Sequence, residues 1–201
     1  MSTIKAVIFD LNGVFIKSPP LSKRFAEKFG VSVDEFLPAL NSVMDIVRKP
    51  NAPDTYSLFK PFLEKWNVMV DGAVIGREAF YHFWFSAETP DDSMISVARE
   101  LKSLGIKVFA LSNNFRERTE YYHAHFSFMA DLFDEVRYSW TTGLVKPNHL
   151  CWAAILELYK LTPQQVLYFD DSEKNAKVAA SLGIHAYPFK DAAQVRALCG
   201  Q

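Results

Sequence analysis

The chain carries almost no net charge. Its 22 lysines and arginines face 23 aspartates and glutamates among 201 residues, a formal charge of −1. No overall basic field exists to draw in nucleic acid or an anionic membrane, so any phosphate recognition has to be local. Cysteine is equally scarce. Cys151 and Cys199 form neither a spaced metal motif nor a disulfide framework, and they are expected to be reduced thiols in a cytoplasmic protein. No apolar run is long enough to cross a bilayer, and the first residues lack the basic-then-apolar pattern of a signal peptide. Internal repeats and low-complexity tracts are missing too. What the chain has is apolar bulk, 49% hydrophobic and 14% aromatic, enough for one domain or one domain with an insertion.

Five short apolar runs read as strands: "IKAVIF" (4–9), "IKVFAL" (106–111), "DEVRYSW" (134–140), "VLYFDD" (166–171) and "IHAYPF" (184–189). Helical patterns lie between them. In "DDSMISVARELKSLG", Ile95, Ala98 and Leu101 share a face and Gly105 sits where a helix stops. "KPNHLCWAAILELYKL" has Pro147 near a helix start, and "SEKNAKVAASLG" runs from a capping Ser172 to Gly183. Alternating strands and helices predict an α/β fold, a parallel five-stranded sheet covered on both faces, with its crevice at the carboxyl ends of the strands.

One stretch breaks the rhythm. About ninety residues with little strand signal separate the first strand from the one near 106, far more than an ordinary crossover needs. Phe25 and Phe29 are four apart. Phe36, Leu40, Val43 and Met44 share a face, as do Tyr56, Phe59, Phe62, Leu63 and Trp66. Breaks at "KPNAP" (49–53) and Pro90 divide these helices. The expected organisation is an α/β core of residues 1–16 and 88–201 with a helical insert of residues 17–87.

Polar residues sit at three strand ends: Asp10 with Asn12, Ser112 with Asn113, and Asp170 with Asp171. In a parallel sheet those ends share one rim, so the residues converge despite their separation, and Lys146 stands in a loop just before a helix. Any one of these is an ordinary turn former or cap. Together, in the order "FDLNGV", "LSNN", "VKP", "YFDDSEKN", they resemble the four motifs of the haloacid dehalogenase superfamily, and the insert resembles the cap of the subgroup that carries it after the first motif.

The resemblance implies a Rossmann-like three-layer core with strand one at its centre and a cap that closes over substrate. It implies Asp10 as nucleophile. Ser112 and the Asn113 amide would hold phosphoryl oxygens, and Lys146 would neutralise nucleophile and phosphate. Asp171 would ligate Mg²⁺ beside Asp10 and the backbone of Asn12, with Asp170 in support, and Asn175 stands where many relatives carry an acid. The charges agree with a dication. Three carboxylates against one lysine leave a pocket at −2 before an anionic substrate arrives, and Mg²⁺ takes oxygen ligands. The expected partner is a small phosphorylated metabolite, with no nucleic acid or membrane, for a monomer or homodimer.

Asn12 departs from the phosphatase pattern, in which this position is usually an Asp that protonates the leaving group and activates water. An amide cannot transfer that proton at neutral pH, a loss of roughly 10²–10⁴-fold. Three readings stay open: a phosphatase restricted to leaving groups of low pKa, an engineered Asp-to-Asn replacement, or a phosphate-binding protein without turnover. A metal-free 2-haloacid dehalogenase also resembles the chain at Asn12, but its last motif is typically neutral where this one has Asp170 and Asp171. Among remaining residues, "AFYHFWFS" (79–86) reads as packing between insert and core before it reads as a substrate wall. Lys17, Arg116 and Arg118 read as surface cations before anion ligands, and His123, His125 and His149 as solvated or packed imidazoles.

Overall fold

The computed structural model describes residues 3–200. The central strand β1 (Ala6–Phe9) is an uninterrupted apolar run whose four residues are all buried, as a parallel strand covered on both faces requires. It lies between β6 (Lys107–Ser112) and β8 (Val166–Asp170), with Val7 opposite Val108 on one side and Leu167 on the other. Strands β7 (Glu135–Tyr138) and β9 (His185–Pro188) complete a parallel sheet ordered β7-β6-β1-β8-β9. Each of the five expected strands is present, although "DEVRYSW" leaves the sheet after Tyr138 and enters the short helix α7 (Ser139–Thr142).

Alternation along β1 divides the core into two layers. Val7 and Phe9 pack with Met94, Ala98 and Leu101 of helix α5 (Asp92–Ser103), whereas Ala6 and Ile8 face Trp152 and Ile155 of α8 (Leu150–Tyr159). The helix starts follow local chemistry. Asp91 caps α5 by accepting from the Ser93 and Met94 backbones, and Ser172 caps α9 (Glu173–Ser181) by accepting from Asn175. Helix α6 (Arg116–His125) follows β6, and α10 (Ala192–Cys199) closes the described chain. Among the described residues no helix is long and apolar enough to cross a membrane.

Between β1 and β6 the chain leaves and returns through two paired segments. Strand β2 (Ile16–Lys17) runs antiparallel to β5 (Thr89–Pro90), Ile16 opposite Pro90 and Lys17 opposite Thr89. Between them lie α1 (Leu21–Phe29), α2 (Val33–Val47), α3 (Thr55–Lys65) and α4 (Arg77–Phe85). They enclose an aromatic core of their own. Phe25 and Phe36 rings lie 4.5 Å apart, Phe59 and Phe80 5.3 Å, and Trp84 meets Phe115 beside β6 at 5.1 Å. The aromatic segment 79–86 accordingly packs: Phe80, Tyr81, Trp84 and Phe85 are buried. The insert also contains strand, which its sequence reading lacks. Met69–Val70 (β3) and Ala73–Val74 (β4) form a hairpin whose two central residues, Asp71 and Gly72, have φ of 51° and 81°, the geometry of an Asp-Gly type I′ turn.

Candidate active site

Asp10 extends β1 by one residue. Its N–H donates to the Phe169 carbonyl at 2.8 Å, and its Oδ1 accepts from the Leu11 backbone at 2.7 Å. The loop that follows presses on the neighbouring strand end. Gly13 adopts φ +82°, and a Cβ there would come within 2.8 Å of the Asp171 Cγ, so the close approach of the two rim loops admits only glycine.

Lys146 reaches this point from the loop before α8. Its Nζ lies 2.9 Å from Asp10 Oδ1 and 2.7 Å from Asp170 Oδ2, with the lysine buried at 4% exposure. Asn113 aims the loop. Its Nδ2 donates to the Lys146 carbonyl at 2.9 Å and its Oδ1 accepts the Lys146 N–H at 2.8 Å. The Asn113 side chain is thereby committed to positioning the lysine, and only its backbone amide remains for the phosphoryl contact expected of it. Ser112, at the end of β6, is buried and its hydroxyl has no hydrogen-bond partner among the described residues. Native interiors rarely leave such a group unsatisfied, so it could accept or donate to a ligand oxygen or an ordered water.

Asp10, Asp170 and Asp171 bring carboxylate oxygens within 4.8 Å of one another. They are not equivalent. Asp170 is fully buried and saturated: it accepts from Lys146, from the Ser172 backbone at 2.8 Å, from Asn175 at 3.1 Å, and from the Tyr168 hydroxyl. Tyr168 lies two residues earlier on the same face of β8. Burial pushes the Asp170 carboxyl up, but Lys146 and these donors outweigh it and hold the carboxyl below its usual range. Asp171 is exposed, and desolvation together with the Asp170 charge raises it. Asp10 is raised from 3.8 to about 6, mainly by burial and next by Asp170, against the opposing pull of Lys146. Lys146 itself is pushed down by burial and held above its ordinary value by Asp10 and Asp170. One lysine does not satisfy three carboxylates. The donor set is all oxygen, which suits a hard dication.

Asn12 sits in a separate network. Its Nδ2 donates to the Tyr122 hydroxyl at 2.6 Å and to Ser18 at 3.2 Å, and its Oδ1 accepts from Asn114 at 3.0 Å. Tyr122 donates on to Glu88 at 2.6 Å, and Arg118 pairs with Glu88 and donates to Ser18 at 3.0 Å. Ser18 and Glu88 belong to the two segments that enter and leave the insert. Glu88 is buried, although it opens the charged linker "ETPDD". Burial raises Tyr122 far above the usual phenol range.

The structure thus gathers Asp10, Ser112, Lys146, Asp170 and Asp171 at one rim, with Asn113 behind the lysine and Asn12 turned toward Tyr122. The secondary candidates have partners elsewhere. Lys17 pairs with Asp91 at 2.8 Å, Arg116 with Glu117 at 3.4 Å, and His123 contacts the Tyr138 hydroxyl at 3.0 Å. The sequence alone does not single out Tyr168, Asn114, Tyr122, Ser18 or Glu88. Only Tyr168 carries a local signal, its two-residue offset from Asp170 along a strand.

The chain belongs to the haloacid dehalogenase-like hydrolases, which residues 4–183 match. In sequence it is 26% identical over 193 residues to acyl-CoA dehydrogenase family member 10 of Mus musculus, a match covering 90% of this chain and 17% of that protein, so the chain spans a small part of that relative's length. In fold it is similar to a HAD family enzyme from Bacteroides thetaiotaomicron (TM-score 0.78, 22% identity, 94% of this chain and 95% of that one). A structure of the same enzyme with magnesium and inorganic phosphate superimposes with a TM-score of 0.75 (22% identity, 93% and 94% covered). An L-2-haloacid dehalogenase superimposes with a TM-score of 0.66 (17% identity, 91% and 85% covered).

Proposed function

We propose that this chain is a Mg²⁺-dependent phosphatase that acts on a small phosphorylated metabolite through an aspartyl-phosphate at Asp10. The observation that carries the reading is the cluster of Asp10, Asp170 and Asp171 beside a single lysine. Three acids within 4.8 Å need a cation beyond Lys146, and a metal-free carbon–halogen displacement needs only the nucleophile among them. The magnesium and phosphate bound by the Bacteroides enzyme are consistent with this choice.

Asp10, Asp171 and the Asn12 backbone carbonyl are the groups that would hold Mg²⁺, with Asp170 fixing Lys146 and the rim rather than ligating. Bound there, Mg²⁺ supplies Lewis-acid neutralisation of the phosphoryl oxygens. The residues of the chain do the rest. Lys146 and the orphaned Ser112 hydroxyl hold the phosphoryl oxygens, and Asp10 attacks phosphorus as the leaving group departs. Water then attacks the aspartyl-phosphate at phosphorus, releasing inorganic phosphate and restoring the carboxylate. The helical insert of residues 17–87 acts as a cap, tied to the site through Ser18 and Glu88.

Asn12 fits as an amide: it donates to one side and accepts from the other, which a carboxylate cannot do. It transfers no proton, so substrates whose leaving groups depart unaided are favoured. Phosphate release from p-nitrophenyl phosphate tests the reading. Turnover that requires Mg²⁺ and stops with EDTA is expected. Halide release from 2-chloropropionate under metal-free conditions, or phosphate binding with no turnover, overturns it.

A further inference from the structure

Buried or half-buried arginines of this chain find acceptors, with one exception. Arg24 donates to the Trp84 carbonyl at 2.9 Å, Arg118 pairs with Glu88, and Arg137 pairs with Glu135 at 3.2 Å. Arg48, half-buried at the end of α2, forms no side-chain hydrogen bond or ion pair among the described residues, and its Nε is shielded from solvent with no partner. A charged donor left in that condition is unfavourable to the ligand-free fold. Such a group calls for an acceptor that its neighbours do not supply, a ligand, an ion or an ordered water.

The surroundings say what sort of ligand. Arg48 lines a cavity of about 280 Å³ with Met44, Asp45, Lys49 and Val145, so the cavity runs from the insert to the residue before Lys146. The charges that act on Arg48 are Arg118, Asp45 and Asp10; burial and Arg118 lower its pKa, and the two acids oppose them. Lys49 adds a second cation to the same cavity, and the exposed Asp45 is its one acid. A guanidinium fork matches a pair of anionic oxygens, and the transferred phosphoryl group already has Lys146 and Ser112.

We infer that the substrate carries a second anionic group, a carboxylate, and that Arg48 binds it from the insert side. This deepens the phosphatase reading and rests on it for the placement of the first phosphoryl group. Arg48 is a specificity determinant: it selects phosphorylated acids over neutral phosphate esters of the same size.

Binding of non-hydrolysable phosphonates, measured by titration calorimetry with Mg²⁺ present, tests this without needing turnover. Phosphonoacetate, 3-phosphonopropionate and 4-phosphonobutyrate are each compared with the alkylphosphonate of equal length, in the native chain and in Arg48→Gln and Arg48→Lys. The native chain is expected to bind at least one carboxylated ligand about 10-fold or more tighter than its neutral match. Arg48→Gln should erase that preference and leave alkylphosphonate binding unchanged; Arg48→Lys should restore part of it. The ligand-free Arg48→Gln protein should melt no lower than the native one, because it loses a half-buried charge without a partner. The inference is overturned if the native chain shows no preference, if the preference survives Arg48→Gln, or if alkylphosphonates weaken equally, which would place Arg48 on the transferred group. Turnover of p-nitrophenyl phosphate decides the phosphatase reading separately.

Discussion

Asn12 and Tyr122, 110 residues apart in sequence, meet at 2.6 Å with the amide as donor and the phenol oxygen as acceptor. The tyrosine proton is already directed to Glu88, so the position beside Asp10 is built for a donor and not for a second acid.

Asn12→Asp sets a carboxylate against that oxygen. One phenol proton then serves two acids, and a buried acceptor goes short, at a cost of about 1–3 kcal/mol in stability. The introduced carboxyl also supplies the missing proton donor. Chemical denaturation should show the loss. Steady-state rates should show hydrolysis of a hexose 6-phosphate gaining about 10²-fold relative to p-nitrophenyl phosphate. An unchanged ratio between poor and good leaving groups would remove Asn12 from the account of leaving-group preference.

Lys146→Met tests the lysine as the counter-ion of one buried and one half-buried acid. Without it Asp10 and Asp170 face each other unpaired, and stability at neutral pH should fall by about 3–5 kcal/mol. Protonation relieves the repulsion, so the loss should shrink at about pH 5. Urea midpoints at both pH values give the measurement. A loss of equal size at both would mean that packing, and not charge, is what the lysine contributes.

The Asp10 shift makes a third prediction. Its folded pKa, about 6, lies above the ordinary 3.8, so the protonated form favours the fold. That contribution is present below about pH 4 and is lost as the pH rises through 6. Mg²⁺ competes with the same proton. The rise in Tm on adding Mg²⁺ should therefore be larger at about pH 7.5 than at about pH 5. A pH-independent rise would indicate that the cation binds away from Asp10.

How much of this is legible in the chain depends on range. Buried parallel strands need unbroken apolar runs, so "AVIF" and "VLYF" stand out, and the polar residues directly after them fall on one rim by topology alone. Helix caps at Asp91 and Ser172 are local and equally readable. The Asp71–Gly72 hairpin is a local signal too, but strands two residues long leave no alternation to notice. Long-range polar pairing has no such trace. Glu88 opens the charged linker "ETPDD", yet it is buried because Arg118 and Tyr122 arrive from 30 and 34 residues away. Asn113 reads as a ligand for substrate, and only coordinates show that its amide grips the Lys146 backbone.

The central claim is that Asp10 carries the phosphoryl group and that Asn12 leaves its release unassisted. Rapid mixing with p-nitrophenyl phosphate and Mg²⁺ measures both at once. The account predicts a burst of p-nitrophenol approaching one equivalent per chain, a phosphorylated peptide containing Asp10 after acid quench, and loss of both in Asp10→Asn. A linear time course with no phosphorylated peptide, or a burst that persists in Asp10→Asn, would contradict it.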